Sequence, residues 1–217
     1  MKDPASHKLF DWLQALERPV GNVVQVGANI GQELPAFDRY GVEWAVMIEP
    51  LDWAFQRLVE NAAGDPRRIP VQALCSDEEG RKQVFWVADN QGQSSSMMRP
   101  DRHMEHYPRI KFPNAVKLFS TTVDAVMDRT LEQHPELAGV RFDTLLIDVQ
   151  GAELKVLRGA PRVLGQVRQV IAEVGGDLYE GAASLEEVQA HLGPLGFRLN
   201  SVKLGGHGSG DALFLKR

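Results

Sequence analysis

Val23-Val24-Gln25-Val26-Gly27-Ala28-Asn29-Ile30-Gly31-Gln32-Glu33 is an apolar, β-branched run that stops at a pair of glycines, after which a helical pattern begins. This layout predicts a first parallel strand, a tight turn, and a helix whose amino end faces a ligand. Gly27 and Gly31 let the backbone bend and approach a bound group, and Ala28 between them is small. Trp44-Ala45-Val46-Met47-Ile48-Glu49-Pro50 reads as the second strand, ending in Glu49. In doubly wound sheets a carboxylate about 20 residues after the glycines accepts hydrogen bonds from ribose hydroxyls. Its two oxygens suit two neighbouring donors. A nucleoside is the expected ligand.

A dinucleotide turn needs a glycine at its middle position, to give a pyrophosphate room. Here that position is Asn29, and Glu33 would repel phosphate. A cationic nucleoside without phosphates fits better, and S-adenosyl-L-methionine is such a ligand. Gly27, Ala28, Asn29, Gly31 and Glu49 are the cofactor-binding candidates of this turn.

The 217 residues suit a single α/β domain, residues 1–217, with a substantial core. A net charge of −5 argues against general nucleic-acid binding. The single cysteine, Cys75, leaves no internal disulfide and points to a reducing compartment, the cytoplasm. Cys75 itself reads as a buried thiol at a strand end. The first residues lead into no apolar run of signal-peptide type, and no stretch is apolar enough to span a bilayer. Residues 1–19 are expected to form an N-terminal covering segment. Within it, residues 6–17 carry Leu9, Leu13 and Leu16 on one helical face, with Phe10 beside them.

Further along, residues 69–74 read as a third strand running into a polar turn. Ser76 or Asp77 in that turn is a candidate acceptor for an adenine amino group, against the alternative of a plain turn. Residues 83–87 and 116–119 read as strands flanking a long irregular piece, residues 89–114. A loop of that length in a compact domain is functional or disordered. Arg99, Arg102, His103, His106, Arg109 and Lys111 make it basic within an acidic protein. Its functional reading is an acceptor-side lid gripping an anionic group; the alternative is a solvated face. Ser95 and Ser96 are grouped with Arg99, His103 and His106 as its acceptor-binding candidates. Thr121 or Thr122 should cap a helix that buries Val123, Val126, Met127 and Leu131.

Residues 144–149 read as the fourth core strand, with Asp148 near its carboxyl end. A charge inside an apolar run needs a partner, and such a position should point into the ligand crevice. Glu153 simply favours the first turn of the following helix. Residues 167–174 form the fifth strand, with Glu173 near its end. Ser184-Leu185-Glu186-Glu187 is a capping box whose helix should bury Leu185, Val188, Leu192 and Leu195. Residues 197–204 and 211–216, joined by glycine-rich 205–210, should make an antiparallel hairpin.

Val26-Gly27-Ala28-Asn29-Ile30-Gly31, Ile48-Glu49-Pro50, Ala73-Leu74-Cys75-Ser76-Asp77, Gln93-Ser94-Ser95-Ser96, Ile147-Asp148-Val149-Gln150-Gly151-Ala152-Glu153 and Gly210-Asp211-Ala212-Leu213-Phe214 together resemble the FkbM family of S-adenosylmethionine-dependent methyltransferases. The resemblance covers roughly residues 20–216, and its most specific part is Asp148-Val149-Gln150-Gly151-Ala152-Glu153. It implies a doubly wound, Rossmann-like seven-stranded sheet of order 3-2-1-4-5-7-6, with strand 7 antiparallel and helices on both faces. It also implies methyl transfer to a hydroxyl of a sugar or a natural product. The partner is then a small-molecule acceptor, with no nucleic acid and no membrane. An alcohol needs its proton removed, and Asp148 is the catalytic candidate, with His103 or His106 as alternatives. Asp148 holding the cofactor's amino group is a second role. Asp148 with Glu173 could hold a divalent ion, but two carboxylates from separate segments are too few, and no metal is assigned. Two other readings stay open, a non-catalytic module that binds the same cofactor and a nicotinamide-dependent oxidoreductase.

Overall fold

A computed structural model describes residues 8–205 and 208–217. Residues 1–7 of the expected covering segment and residues 206–207 of the hairpin link lie outside the described residues. The chain begins with α1 (Lys8–Ala15), β1 (Val23–Val26), α2 (Leu34–Arg39), β2 (Ala45–Glu49), α3 (Asp52–Ala62), β3 (Arg68–Gln72), β4 (Leu74–Cys75) and β5 (Lys82–Val87). It continues through α4 (His103–His106), β6 (Asn114–Thr121), α5 (Val123–Gln133), β7 (Thr144–Ile147), α6 (Glu153–Arg158) and α7 (Pro161–Gln166). It ends with β8 (Gln169–Gly175), α8 (Leu185–Leu192), β9 (Phe197–Leu204) and β10 (Ser209–Lys216).

Seven strands form the main sheet in the order β3-β2-β1-β7-β8-β10-β9. Three strands, β4 to β6, stand outside it, so the labels run higher than expected; counted within the sheet alone, the order is 3-2-1-4-5-7-6. β10 runs antiparallel to both β8 and β9, while the other pairings are parallel. The central strands β1, β2 and β7 are buried along their whole length, as helices covering both faces require. Alternate residues serve opposite faces. Val24, Val26, Ile48, Leu145 and Ile147 pack towards Val126, Val156 and Val188 of α5, α6 and α8. Val23, Met47, Leu146 and Ile171 pack towards α1 and α2. There Leu9, Phe10 and Leu13 are buried, and the Phe10 ring lies 5.5 Å from Phe37, edge to face.

The expected third strand is not continuous. β3 stops at Gln72, and Leu74-Cys75 leaves the main sheet to pair with Ser120-Thr121 of β6. β6 also pairs antiparallel with β5, giving a second, three-stranded sheet of order β4-β6-β5. The partner strand comes from far along the chain, so no local pattern marks the switch. β7 likewise ends at Ile147, one residue before Asp148. In α5, Val123, Val126 and Met127 are buried as expected, but Leu131 is 44% exposed because the helix has turned that position outward. Leu195 is also exposed, since α8 ends at Leu192. Thr122 caps α5 by accepting from the Ala125 N–H at 3.1 Å. The Ser184 capping box is complete. Helix α7 was not expected. Asp124 holds its amino end, accepting from the Arg162 and Val163 N–H groups at 2.8 and 3.0 Å.

Candidate active site

A cavity of about 370 Å³ opens at the carboxyl ends of β1, β2 and β7. That size suits a small-molecule site, which spans roughly 300–1,000 Å³. Its wall includes Gly27, Asn29, Glu33, Glu49, Ser95, Asp148 and Gln150. Ala73, Leu74 and Cys75 line the β3 side, and Asn90, Gln93, Ser94 and Met97 close it from the segment after β5.

The turn after β1 explains its own composition. Gly27, Asn29 and Gly31 have φ of 88°, 46° and 84°. A Cβ on Gly27 would meet the Asp148 carbonyl oxygen at 1.8 Å, so the end of β7 leaves no room there. Ala28 is fully buried beneath the turn. Asn29 donates through Nδ2 to the Gln91 carbonyl at 3.0 Å, while its buried Oδ1 has no hydrogen-bond partner. Glu49 receives the Asn29 N–H on one oxygen and the Leu51 N–H on the other, both at 2.9 Å. Burial pushes the Glu49 carboxyl up to about 7 against those two bonds.

Asp148 sits just past the end of β7, exposed to the cavity rather than enclosed in an apolar run. Its neighbour Gln150 adopts a left-handed φ of 57°, which turns the amide back. Gln150 Nε2 donates to Asp148 Oδ1 and to Glu173 Oε2, both at 2.7 Å. The Tyr179 hydroxyl lies 2.7 Å from the Ser94 carbonyl and 3.1 Å from Gln150 Oε1, and donates to one of them. Glu173 is raised well above the usual carboxylate range by burial and then by the charge of Asp148. Glu153, read from sequence only as a helix-start acid, is buried and accepts from the Val149 and Gly151 N–H groups, both at 3.1 Å. It holds the turn that carries Asp148 and Gln150. Burial, and then the charge of Asp148, pushes its carboxyl up to about 7.

Glu153 gives a pH prediction. A folded carboxyl near 7 against an ordinary 4.5 binds a proton that the unfolded chain releases between those values. Its stabilising contribution is therefore present at low pH and lost as pH rises through about 7. Between pH 5 and 8 the Tm of the unliganded protein should fall more than that of Glu153→Gln. Parallel thermal melts of the two proteins check this, and equal falls would contradict it.

The other expected site residues are spread more widely. Ser76 is fully buried and donates to Asp77 at 2.8 Å; Asp77 faces Lys155 at 3.9 Å, and neither lines the cavity. Ser95 lines it and accepts from the Ala88 N–H at 3.0 Å. Ser96 lies behind the wall and donates to the Gln150 carbonyl at 2.8 Å. Segment 89–114 is ordered by long-range ties. Trp86 and Ser96 exchange backbone bonds of 2.7 and 3.0 Å, and the His103 N–H reaches the Leu178 carbonyl at 3.0 Å. Its basic groups do not reach the cavity wall. Arg99 pairs with Glu180 at 3.8 Å, and Arg102 pairs with Asp177 and Glu105. His103 is 2% exposed among Tyr107, Phe112 and Tyr179, and burial lowers its pKa. His106 lies 3.9 Å from Asp177. Among the described residues, no Lys, Arg or His lines the cavity wall. Glu33 and Tyr179 were not assigned from sequence as site residues. The repulsion of phosphate noted for Glu33 was a usable signal, whereas nothing local marks Tyr179.

Cys75 is buried, and burial pushes its thiol up to about 12, which makes it inert. Among the described residues, no group of three or more His, Cys, Asp or Glu is arranged to hold a metal ion. Among them, too, no helix is long and apolar enough to cross a membrane.

Comparison with known proteins agrees with this architecture. The 2-O-methyltransferase NoeI of Sinorhizobium fredii (strain NBRC 101917 / NGR234) is 26% identical over 182 residues, covering 80% of this chain and 71% of that protein. The solved methyltransferase FkbM from Methylobacillus flagellatus KT superposes with a TM-score of 0.55 at 13% identity, over 89% of this chain and 43% of that one. Magnesium protoporphyrin IX methyltransferase from Synechocystis PCC 6803, solved with bound S-adenosylmethionine, gives 0.52 at 9% identity, over 96% of this chain and 76% of that one. These likenesses show a shared fold. The sequence profile of the methyltransferase FkbM domain matches residues 25–199, from within β1 into β9, and the chain belongs to that family of methyltransferases.

Proposed function

We propose that this protein transfers a methyl group from S-adenosylmethionine to a hydroxyl of a small molecule, a sugar or a natural product. The observation that carries the reading is Asp148, an exposed carboxylate at the cavity edge with a half-buried acid, Glu173, bridged to it through Gln150. Similarity to a 2-O-methyltransferase supports a hydroxyl acceptor.

The residues present fit the cofactor. Glu49 keeps lone pairs for ribose hydroxyls beyond its two backbone bonds. The orphaned Asn29 Oδ1 offers an acceptor to a hydroxyl or ammonium donor. A wall with Glu33, Glu49 and Asp148 and, among the described residues, no cation suits a positive ligand and disfavours a dinucleotide pyrophosphate. When bound, S-adenosylmethionine supplies a methyl group activated by a positive sulfur. The chain's part is to orient the two partners and to take the acceptor's proton on Asp148.

Incubating the protein with methyl-labelled S-adenosylmethionine and a panel of neutral sugars and hydroxylated small molecules tests this. Label in an ether-linked methyl group is the expected result; label in none of them, despite measurable cofactor binding, would favour a binding module. Glu49→Ala should weaken cofactor binding by the loss of charge-assisted bonds worth roughly 1.5–3 kcal/mol each. Calorimetry checks it, and an unchanged affinity would remove Glu49 from the ribose.

A further inference from the structure

Glu33 is a half-buried carboxylate in the cavity wall that the reaction outlined above does not use. It follows the Gly27–Gly31 turn, immediately before α2. Behind it, Gln25 is the polar residue of β1, an otherwise apolar strand, and it is 2% exposed. Gln25 Nε2 donates to Glu33 Oε2 at 3.0 Å. Gln25 Oε1 has no hydrogen-bond partner, so the amide is committed to setting this one carboxylate. Burying a polar amide in a central strand costs free energy unless it serves a purpose.

The layout of the wall gives that purpose. Glu49 ends β2, and on its far side the wall continues through Ala73, Leu74 and Cys75. On its near side lie the turn after β1, Glu33, and then Asp148 past β7. A nucleoside held at Glu49 with its base towards β3 leaves its other end beside Glu33. Asp148 is already engaged by Gln150, on the side of Glu173. The neutral groups nearby, Gln32, Asn90, Gln93 and Ser94, can meet a carboxylate but not balance a positive charge.

We propose that Glu33, set in place by Gln25, is the anchor for the ammonium group at the amino-acid end of the cofactor. This rests on S-adenosylmethionine being the ligand of the cavity. A consequence follows for protons. Burial first, and then the charge of Asp148, hold the Glu33 carboxyl up to about 7, with the Gln25 bond opposing. Asp148 is a charged group that faces it, and among the described residues no Lys, Arg or His lines the wall. A bound cation favours the ionised form, so binding releases part of a proton near neutral pH and weakens as pH falls below about 7.

Calorimetry with two probes tests the assignment. S-adenosylmethionine carries the sulfonium and the amino-acid end, whereas 5′-methylthioadenosine has the same nucleoside as a neutral thioether without either. Glu33→Gln should weaken S-adenosylmethionine roughly tenfold to hundredfold and leave methylthioadenosine unchanged. At pH 7, titrations in buffers of different ionisation enthalpy should show more proton release by the wild type than by the variant. Unchanged affinity for S-adenosylmethionine, an equal loss for both probes, or equal proton release would overturn the role of Glu33. Failure of the wild type to bind S-adenosylmethionine at all would instead overturn the cofactor itself.

Discussion

Asp148→Asn should lower turnover by about 10²–10⁴-fold while changing cofactor affinity far less. That range corresponds to about 2.7–5.5 kcal/mol of barrier. The substitution keeps the shape of the side chain and its capacity to accept from Gln150 Nε2, 2.7 Å away. It removes the negative charge and with it the ability to take a proton. Release of S-adenosylhomocysteine under saturating acceptor gives kcat, and calorimetry gives the cofactor Kd. Equal losses in both would move Asp148 from base to cofactor anchor.

The surroundings of Asp148 bear on that outcome. Four carboxyl groups, Glu33, Glu153, Glu173 and Asp211, feel its charge and are raised by burial first. Asp211 lies opposite Glu173 in the β10–β8 register and is pushed up to about 6, with Lys203 opposing. Several acids this close cannot all ionise. Glu173 is less exposed than Asp148, and burial favours its protonated form. In Asp148→Asn that repulsion is gone, so Glu173 should ionise at lower pH. Any residual activity of the variant should then show a pH profile shifted downwards, a change that simple loss of packing would not give.

The parts of this molecule legible in its sequence are those written locally. The strand–turn–helix at Val23–Glu33, the acid closing the second strand, the capping box at Ser184 and the final hairpin each follow from neighbouring residues. What escaped depends on contacts between distant segments. The break after Gln72 arises because Leu74-Cys75 finds β6, more than 40 residues away. The basic character of segment 89–114 is compatible in sequence with a grip on an anion or with a solvated face, and in the structure Arg99 and Arg102 pair with Glu180 and Asp177 from beyond β8. Charge composition reports an excess but not which acid answers it. The cluster around Asp148 is similarly non-local: Gln150 is adjacent, but Glu173 and Tyr179 arrive from another strand and the loop beyond it. Glu153 misled for a different reason. An acid in a first helical turn has a sufficient local explanation, and its bonds to Val149 and Gly151 are visible only once the turn is folded.

Gly27→Ala should destabilise the protein by roughly 3–5 kcal/mol and abolish cofactor-induced thermal stabilisation. Two effects combine at this residue. Its φ of 88° is left-handed, which costs a side chain about 1–2 kcal/mol. The added Cβ would also stand 1.8 Å from the Asp148 carbonyl oxygen, a backbone atom that cannot swing aside. Relief requires parting the ends of β1 and β7, where the Asp148 N–H reaches the Val26 carbonyl at 3.0 Å, and strains the bond by which the Gly27 N–H reaches the Ile48 carbonyl of β2 at 2.9 Å. The turn that carries Asn29 and the residue that carries the proposed base would move together. Gly41→Ala separates the two causes, because Gly41 has a comparable φ of 73° but nothing within 4 Å of its added Cβ. That control should lose only the backbone term and keep its response to S-adenosylmethionine. For a domain of this size each kcal/mol lowers Tm by roughly 2–4 °C, so the expected fall for Gly27→Ala is about 6–20 °C. Equal falls for the two variants would mean that β1 and β7 yield without cost, and the close fit of the turn against Asp148 would then have no part in holding the site.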